Sequence, residues 1–105
     1  MSQLFFPDWR EKVVFSPERV KPQVLLETNN FKVLIGGLEP EQQIPTHPEG
    51  AAVFHFLEGS GWMVVGEERF AVKPGVTIVV PAGANRGIQA ETRLAFLAAR
   101  VASED

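Results

Sequence analysis

Between positions 44 and 87 large apolar residues recur at every second position in short runs, and each run stops at glycine or proline. In 51–58, Ala52, Phe54 and Phe56 take one parity and Val53, His55 and Leu57 the other, before Gly59, Ser60 and Gly61 end the run. Residues 62–65 reverse at Gly66 and Glu67, 69–72 stop at Lys73, Pro74 and Gly75, and 76–80 run into Pro81, Ala82 and Gly83. Period-two runs of this length with such punctuation predict the strands of an antiparallel all-β domain. Upstream, 23–27 and 31–35 are predicted to pair about Thr28, Asn29 and Asn30, because asparagine tolerates positive φ in a tight turn. Gly36 and Gly37 are expected to end or bulge the second strand, and 38–44 (LEPEQQI) to form a loop. Residues 12–15 are predicted as a short edge strand and 16–19 as one helical turn capped by Ser16. The last pair is 87–91 with 93–101 about Glu91 and Thr92.

Several runs are apolar on both parities. In 93–101 one face carries Leu94, Phe96 and Ala98 and the other Ala95, Leu97, Ala99 and Val101. A closed sheet buries its inner face, so a second apolar face calls for a cover. A homodimer is the expected cover, since a two-fold axis presents one patch to itself. The alternative cover is the apolar arm at 4–9, packed on its own barrel or swapped onto a partner subunit. Residues 1–30 are taken as arm and first strands of the same domain, 31–101 as the barrel core, and 102–105 as a charged tail expected to be mobile.

Composition narrows the function classes. One hundred and five residues make one domain, and 45% hydrophobic content argues against disorder. A net charge of −3 without a basic cluster excludes a nucleic-acid footprint. No cysteine is present, which removes disulfides, thiolate metal sites and cysteine nucleophiles and fits a reducing compartment; a soluble, cytoplasmic protein is expected. The apolar runs are too short for a membrane span, and Leu4, Phe5 and Phe6, closed by Pro7 and Asp8, are too short for a secretory core. Gly36 with Gly37 is hairpin punctuation, not a phosphate loop, and no serine sits in a nucleophile elbow.

The 44–87 stretch resembles the cupin superfamily, in the form of a small single-domain bacterial cupin with degenerate metal motifs. Gly75, Pro81 and Gly83 stand at the spacings of that family's second motif, where Arg86 takes the place of the metal-binding histidine. Gly59 matches the last glycine of the first motif. Counting back, Ala52 falls on the glutamate position, and the histidine pair falls on Thr46 and Pro48 or, with the longer spacing, on Pro45 and His47. The resemblance spans about 31–101 and implies a jelly-roll (double-stranded β-helix) barrel with a ligand or metal site at its mouth.

A first-row metal needs several histidine or carboxylate donors, and a guanidinium repels it, so no cofactor is expected. Should a divalent iron, manganese, nickel or zinc be held, the candidates are His47, Glu49 and His55, although His55 has the outward parity if Ala52 faces the lumen. The favoured site is ligand-binding: His47 and Arg86 at the mouth, with Phe54, Phe56 and Trp62 as apolar walls. The expected function is binding of a small anionic or polar molecule without the usual metal. The alternatives are a metal-dependent dioxygenase or isomerase with rearranged ligands, and a stand-alone sugar-sensing or dimerisation module. Catalytic residues are not assigned from sequence.

Overall fold

Strand alternation translates directly into two faces. In the computed structural model, which describes residues 3–102, the chain forms nine strands: β1 Gln23–Glu27, β2 Phe31–Leu38, β3 Gln43–Pro48, β4 Ala52–Glu58, β5 Gly61–Val65, β6 Glu68–Val72, β7 Thr77–Val80, β8 Asn85–Ala90 and β9 Leu94–Val101. They make two antiparallel sheets, in the orders β1-β2-β9-β4-β7 and β3-β8-β5-β6. The antiparallel all-β domain expected from the pattern, and the jelly roll that the resemblance implied, are therefore the observed fold. Past Ala102, the expected tail lies outside the described residues.

The core is built from one parity of each strand. Phe54 and Phe56 of β4, Ile78 and Val80 of β7 and Phe96 and Ala98 of β9 meet Met63 of β5 and Ile88 of β8 between the sheets. The rings of Phe54 and Phe56 lie tilted against Phe96, centroids 5.6 and 6.2 Å apart, the offset geometry aromatic pairs prefer.

Several local expectations are corrected. The 38–44 loop is shorter than expected, because β3 begins at Gln43; its two prolines are tolerated on an edge strand whose only partner is β8. β2 does not end at Gly36. It runs on to Leu38, and the Phe96 ring fills the space where a Cβ of Gly36 would stand. Neither Asn29 nor Asn30 has a positive φ; the β1–β2 turn is closed by Thr28 N–H donating to Phe31 O (2.8 Å). Residues 12–15 form no strand. A short 3-10 turn, Trp9–Glu11, capped by Asp8, leads instead to Phe15, whose ring lies over Gly37, where no side chain keeps it off the sheet. The segment 17–19 bends without becoming helical, although the Ser16 hydroxyl does accept from Glu18 N–H (3.3 Å).

The outer face of the five-stranded sheet carries an apolar row in register across every strand: Leu26, Val33, Ala99, Val53 and Val79. Four strand spacings make it about 19 Å wide. Val79 is 75% exposed and Leu26 48%. Among the described residues, the segment about Phe15 covers the other end of this face at Gly37, held by Arg93 stacked on the Phe15 ring (4.1 Å) and by Gln42 Nε2 donating to Ser16 O (2.7 Å). Leu4 and Phe5, at the start of the arm, are exposed. Among the described residues no helix is long and apolar enough to cross a membrane.

Candidate functional site

An irregularity in β3 creates the mouth of the barrel. Ile44 pairs with Ile88 and His47 with Arg86, so Pro45 and Thr46 together oppose Gly87. Two residues against one is a β-bulge, and it switches the parity of everything after it. Ile44 and His47, three positions apart, therefore line the same cavity. Gly87 makes this possible: a Cβ there would stand 2.7 Å from Ile44 O and 2.9 Å from the Thr46 side chain.

The cavity measures about 140 Å³. Leu34, Ile44, Phe54, Ile88, Phe96 and Ala98 give it an apolar floor, and His47, Glu49, Arg86 and Arg100 a polar rim. The structure brings His47, Arg86 and Phe54 to one cavity. Phe56 shares the inward parity of Phe54 but sits two residues deeper, 1% exposed in the core, and does not line the cavity. Trp62 is a second correction. On β5, Met63 is fully buried and pairs with Ile88, so its neighbour Trp62 points to the opposite face, under the Arg69 guanidinium (3.8 Å to the ring).

Arg86 is 3% exposed. Its Nε donates to Ala84 O (3.0 Å), Nη1 to Gly50 O (2.9 Å), and Nη2 to Glu49 O (3.1 Å) and Pro81 O (3.3 Å). The guanidinium fork thereby staples the 49–51 loop to the 81–84 loop. Burial lowers its pKa from the ordinary value, yet guanidinium remains a cation. All four partners among the described residues are neutral carbonyls, and none of these residues forms an ion pair with it at the wall of the cavity.

Arg100 and Phe96 are the contributors that sequence reasoning missed. Arg100 follows Phe96 and Ala98 on the inward parity of β9 and stands directly across from Ala52. A charged residue continuing an apolar parity at a strand end was the available signal. Glu49 links the rim: its Oε2 accepts from His47 Nε2 (2.7 Å) and its Oε1 is paired with Arg100.

The family resemblance implies a metal here, and the donors do not fit one. His47 Nδ1 lies 2.9 Å from Pro45 O and its Nε2 faces Glu49, so both ring nitrogens are turned toward acceptors. His55 lies on the outer face of β4, its Nδ1 2.7 Å from Thr77 Oγ1. The trio His47, Glu49 and His55 is therefore not brought together. Among the described residues no three histidine, cysteine or acidic side chains converge. A metal centre of this kind takes three or more protein ligands, and here a buried guanidinium stands at the place of one of them.

A two-sheet jelly roll with its polar mouth at the ends of β3, β4, β8 and β9 is the fold of a cupin barrel. The model of the Cupin domain matches residues 34–99, and the chain belongs to that family. A conserved protein of unknown function from Streptococcus pyogenes superposes with a TM-score of 0.86 at 23% identity, covering 100% of this chain and 93% of its own. An RmlC-like cupin from Desulfovibrio desulfuricans gives 0.81 at 26% identity, with 95% and 97% covered. An uncharacterised conserved protein with a double-stranded β-helix domain from Klebsiella pneumoniae gives 0.83 at 24%, with 98% and 91% covered. Among curated proteins none matches the chain.

Proposed function

We propose that this cupin domain binds a small organic carboxylate in the barrel mouth without a metal centre. The observation that carries the proposal is the buried Arg86 guanidinium, a cation on the cavity wall whose partners among the described residues are all neutral carbonyl oxygens. With Arg100 also on the rim and Glu49 its only carboxylate among the described residues, the charges described at the mouth sum to net positive. The apolar floor of Phe54 and Phe96 suits a hydrocarbon or aromatic body. A volume of about 140 Å³ is close to the roughly 150 Å³ of an engineered apolar cavity that takes up benzene. Anion and apolar body together describe benzoate-sized acids.

A melting-temperature series tests this. Benzoate is expected to raise Tm, with about 2.7 kcal/mol of stabilisation at a hundredfold excess over Kd, while its neutral isostere benzamide and a sugar phosphate leave Tm unchanged. Equal shifts from benzoate and benzamide would remove charge recognition from the site. Stoichiometric iron, manganese, nickel or zinc in the purified protein would restore the metal-dependent alternative.

The apolar row on the outer sheet supports a second proposal, that another copy of this chain covers it. The row is continuous over all five strands, and sheets packed face to face through such rows form the core of β-sandwiches. Light scattering is expected to show a dimer at micromolar concentration and a folded monomer for Val53→Glu, which places a charge mid-row. A monomeric wild type at that concentration would dismiss the proposal.

A further inference from the structure

Glu49 occupies an unusual position in the mouth. Its backbone is fixed: Glu49 O accepts from Arg86 Nη2 (3.1 Å) and from Gly83 N–H (2.8 Å), and the next carbonyl, Gly50 O, accepts from Arg86 Nη1. Its side chain is tethered only through the carboxylate, one oxygen on His47 Nε2 and the other on Arg100. Those two donors flank the apolar cavity, and all three side chains remain partly exposed, 43% for His47, 28% for Glu49 and 25% for Arg100. A carboxylate bound by two donors above an apolar pocket is the chemistry expected of a bound organic acid.

We infer that Glu49 is a built-in competitor: its carboxylate fills the anion position formed by His47 and Arg100, and an entering carboxylate must displace it. This rests on the carboxylate-binding reading of the cavity. The exchange replaces one carboxylate by another at the same donors, so no net charge is added to the mouth when Glu49 swings into water. Rotation of its side chain is sufficient, because the loop backbone stays pinned by Arg86. The tether holds Glu49 at a high effective concentration, which sets a threshold: only acids that add contacts with the apolar floor outcompete it. Carboxylates without an apolar body, such as formate, are thereby rejected.

Calorimetric titration of benzoate, benzamide and formate into the wild type and Glu49→Gln tests the inference. Glutamine keeps the backbone contacts and an acceptor for Arg100 but carries no charge, and its Tm reports that it folds. The expected result is a gain of about tenfold in benzoate affinity for Glu49→Gln, the scale of one partly exposed ion pair and one hydrogen bond released together. Benzamide affinity should stay unchanged, and adding Arg100→Gln to Glu49→Gln should abolish the gain. Equal benzoate affinity in wild type and Glu49→Gln overturns the competitor role and leaves carboxylate binding standing. Weaker binding by Glu49→Gln also overturns it, making Glu49 a ligand contact. No benzoate binding to either protein overturns both readings.

Discussion

Replacing Arg86 by methionine will lower the stability of this domain by about 3 kcal/mol or more, since each buried acceptor stripped of its donor costs about 1–3 kcal/mol. The substitution removes the Arg86 donors from four carbonyls at once: Glu49 O keeps Gly83 N–H and Pro81 O keeps Ala84 N–H, while Gly50 O and Ala84 O are left stripped. Methionine keeps the unbranched apolar stem but ends where Nε stands, so the space left by the guanidinium head adds to the lost hydrogen bonds. For a domain of this size the loss corresponds to a fall in Tm of roughly 10–25 °C. Arg86→Lys should recover less than half, because one ammonium cannot span two loops as a planar fork does. Calorimetry of the three proteins checks the series; a fall below about 4 °C for Arg86→Met, under 1 kcal/mol on the same scale, would mean that water replaces the staple. The same result governs how the site is probed. Loss of ligand binding in a position-86 variant reports unfolding as readily as lost recognition, which makes position 100 the informative one.

Gly59→Ala is expected to cost about 2–4 kcal/mol through two separate penalties. The residue has φ +85°, where a side chain is strained, and a Cβ there would stand 1.9 Å from Arg93 O, in the backbone leading into β9. Gly66 gives an internal control. It too has positive φ (+61°) but nothing lies within 4 Å of its missing Cβ, so Gly66→Ala should cost only the conformational penalty of about 1 kcal/mol. Chemical denaturation of both variants separates strain from collision. Equal losses would show that contact with the 93–94 backbone relaxes freely.

How far these features could be read from the chain depends on what alternation encodes. It encodes the face of a strand, and the inward set Ala52, Phe54 and Phe56 emerged correctly, as did the outward placing of His55. Depth along the barrel axis is not encoded, which is why Phe54 and Phe56 look equivalent in sequence although only Phe54 lines the cavity. Where both parities are apolar the face itself is ambiguous. In Trp62, Met63, Val64 and Val65 the choice is made by pairing with Ile88, a partner 25 positions beyond Met63. The β3 bulge hid the orientation of His47 for a related reason: one extra residue inverts the count, and only the Gly87 backbone opposite it shows where. Motif spacing located Arg86 on the rim but not its four carbonyl partners, which arrive from two loops far apart in the chain. Spacing likewise said nothing of the Glu49–Arg100 pair, whose members are brought together only by the β4–β9 pairing.

The bulge that turns His47 inward also shapes how molecules of this protein can meet. β3 borders its sheet, and a border strand with free amides and carbonyls invites lateral growth into fibrils. Here Pro45 and Pro48 lack amide protons, and the bulge between them breaks the hydrogen-bonding repeat that an incoming strand would have to match. One short segment thus shapes the pocket and blunts that margin of the four-stranded sheet.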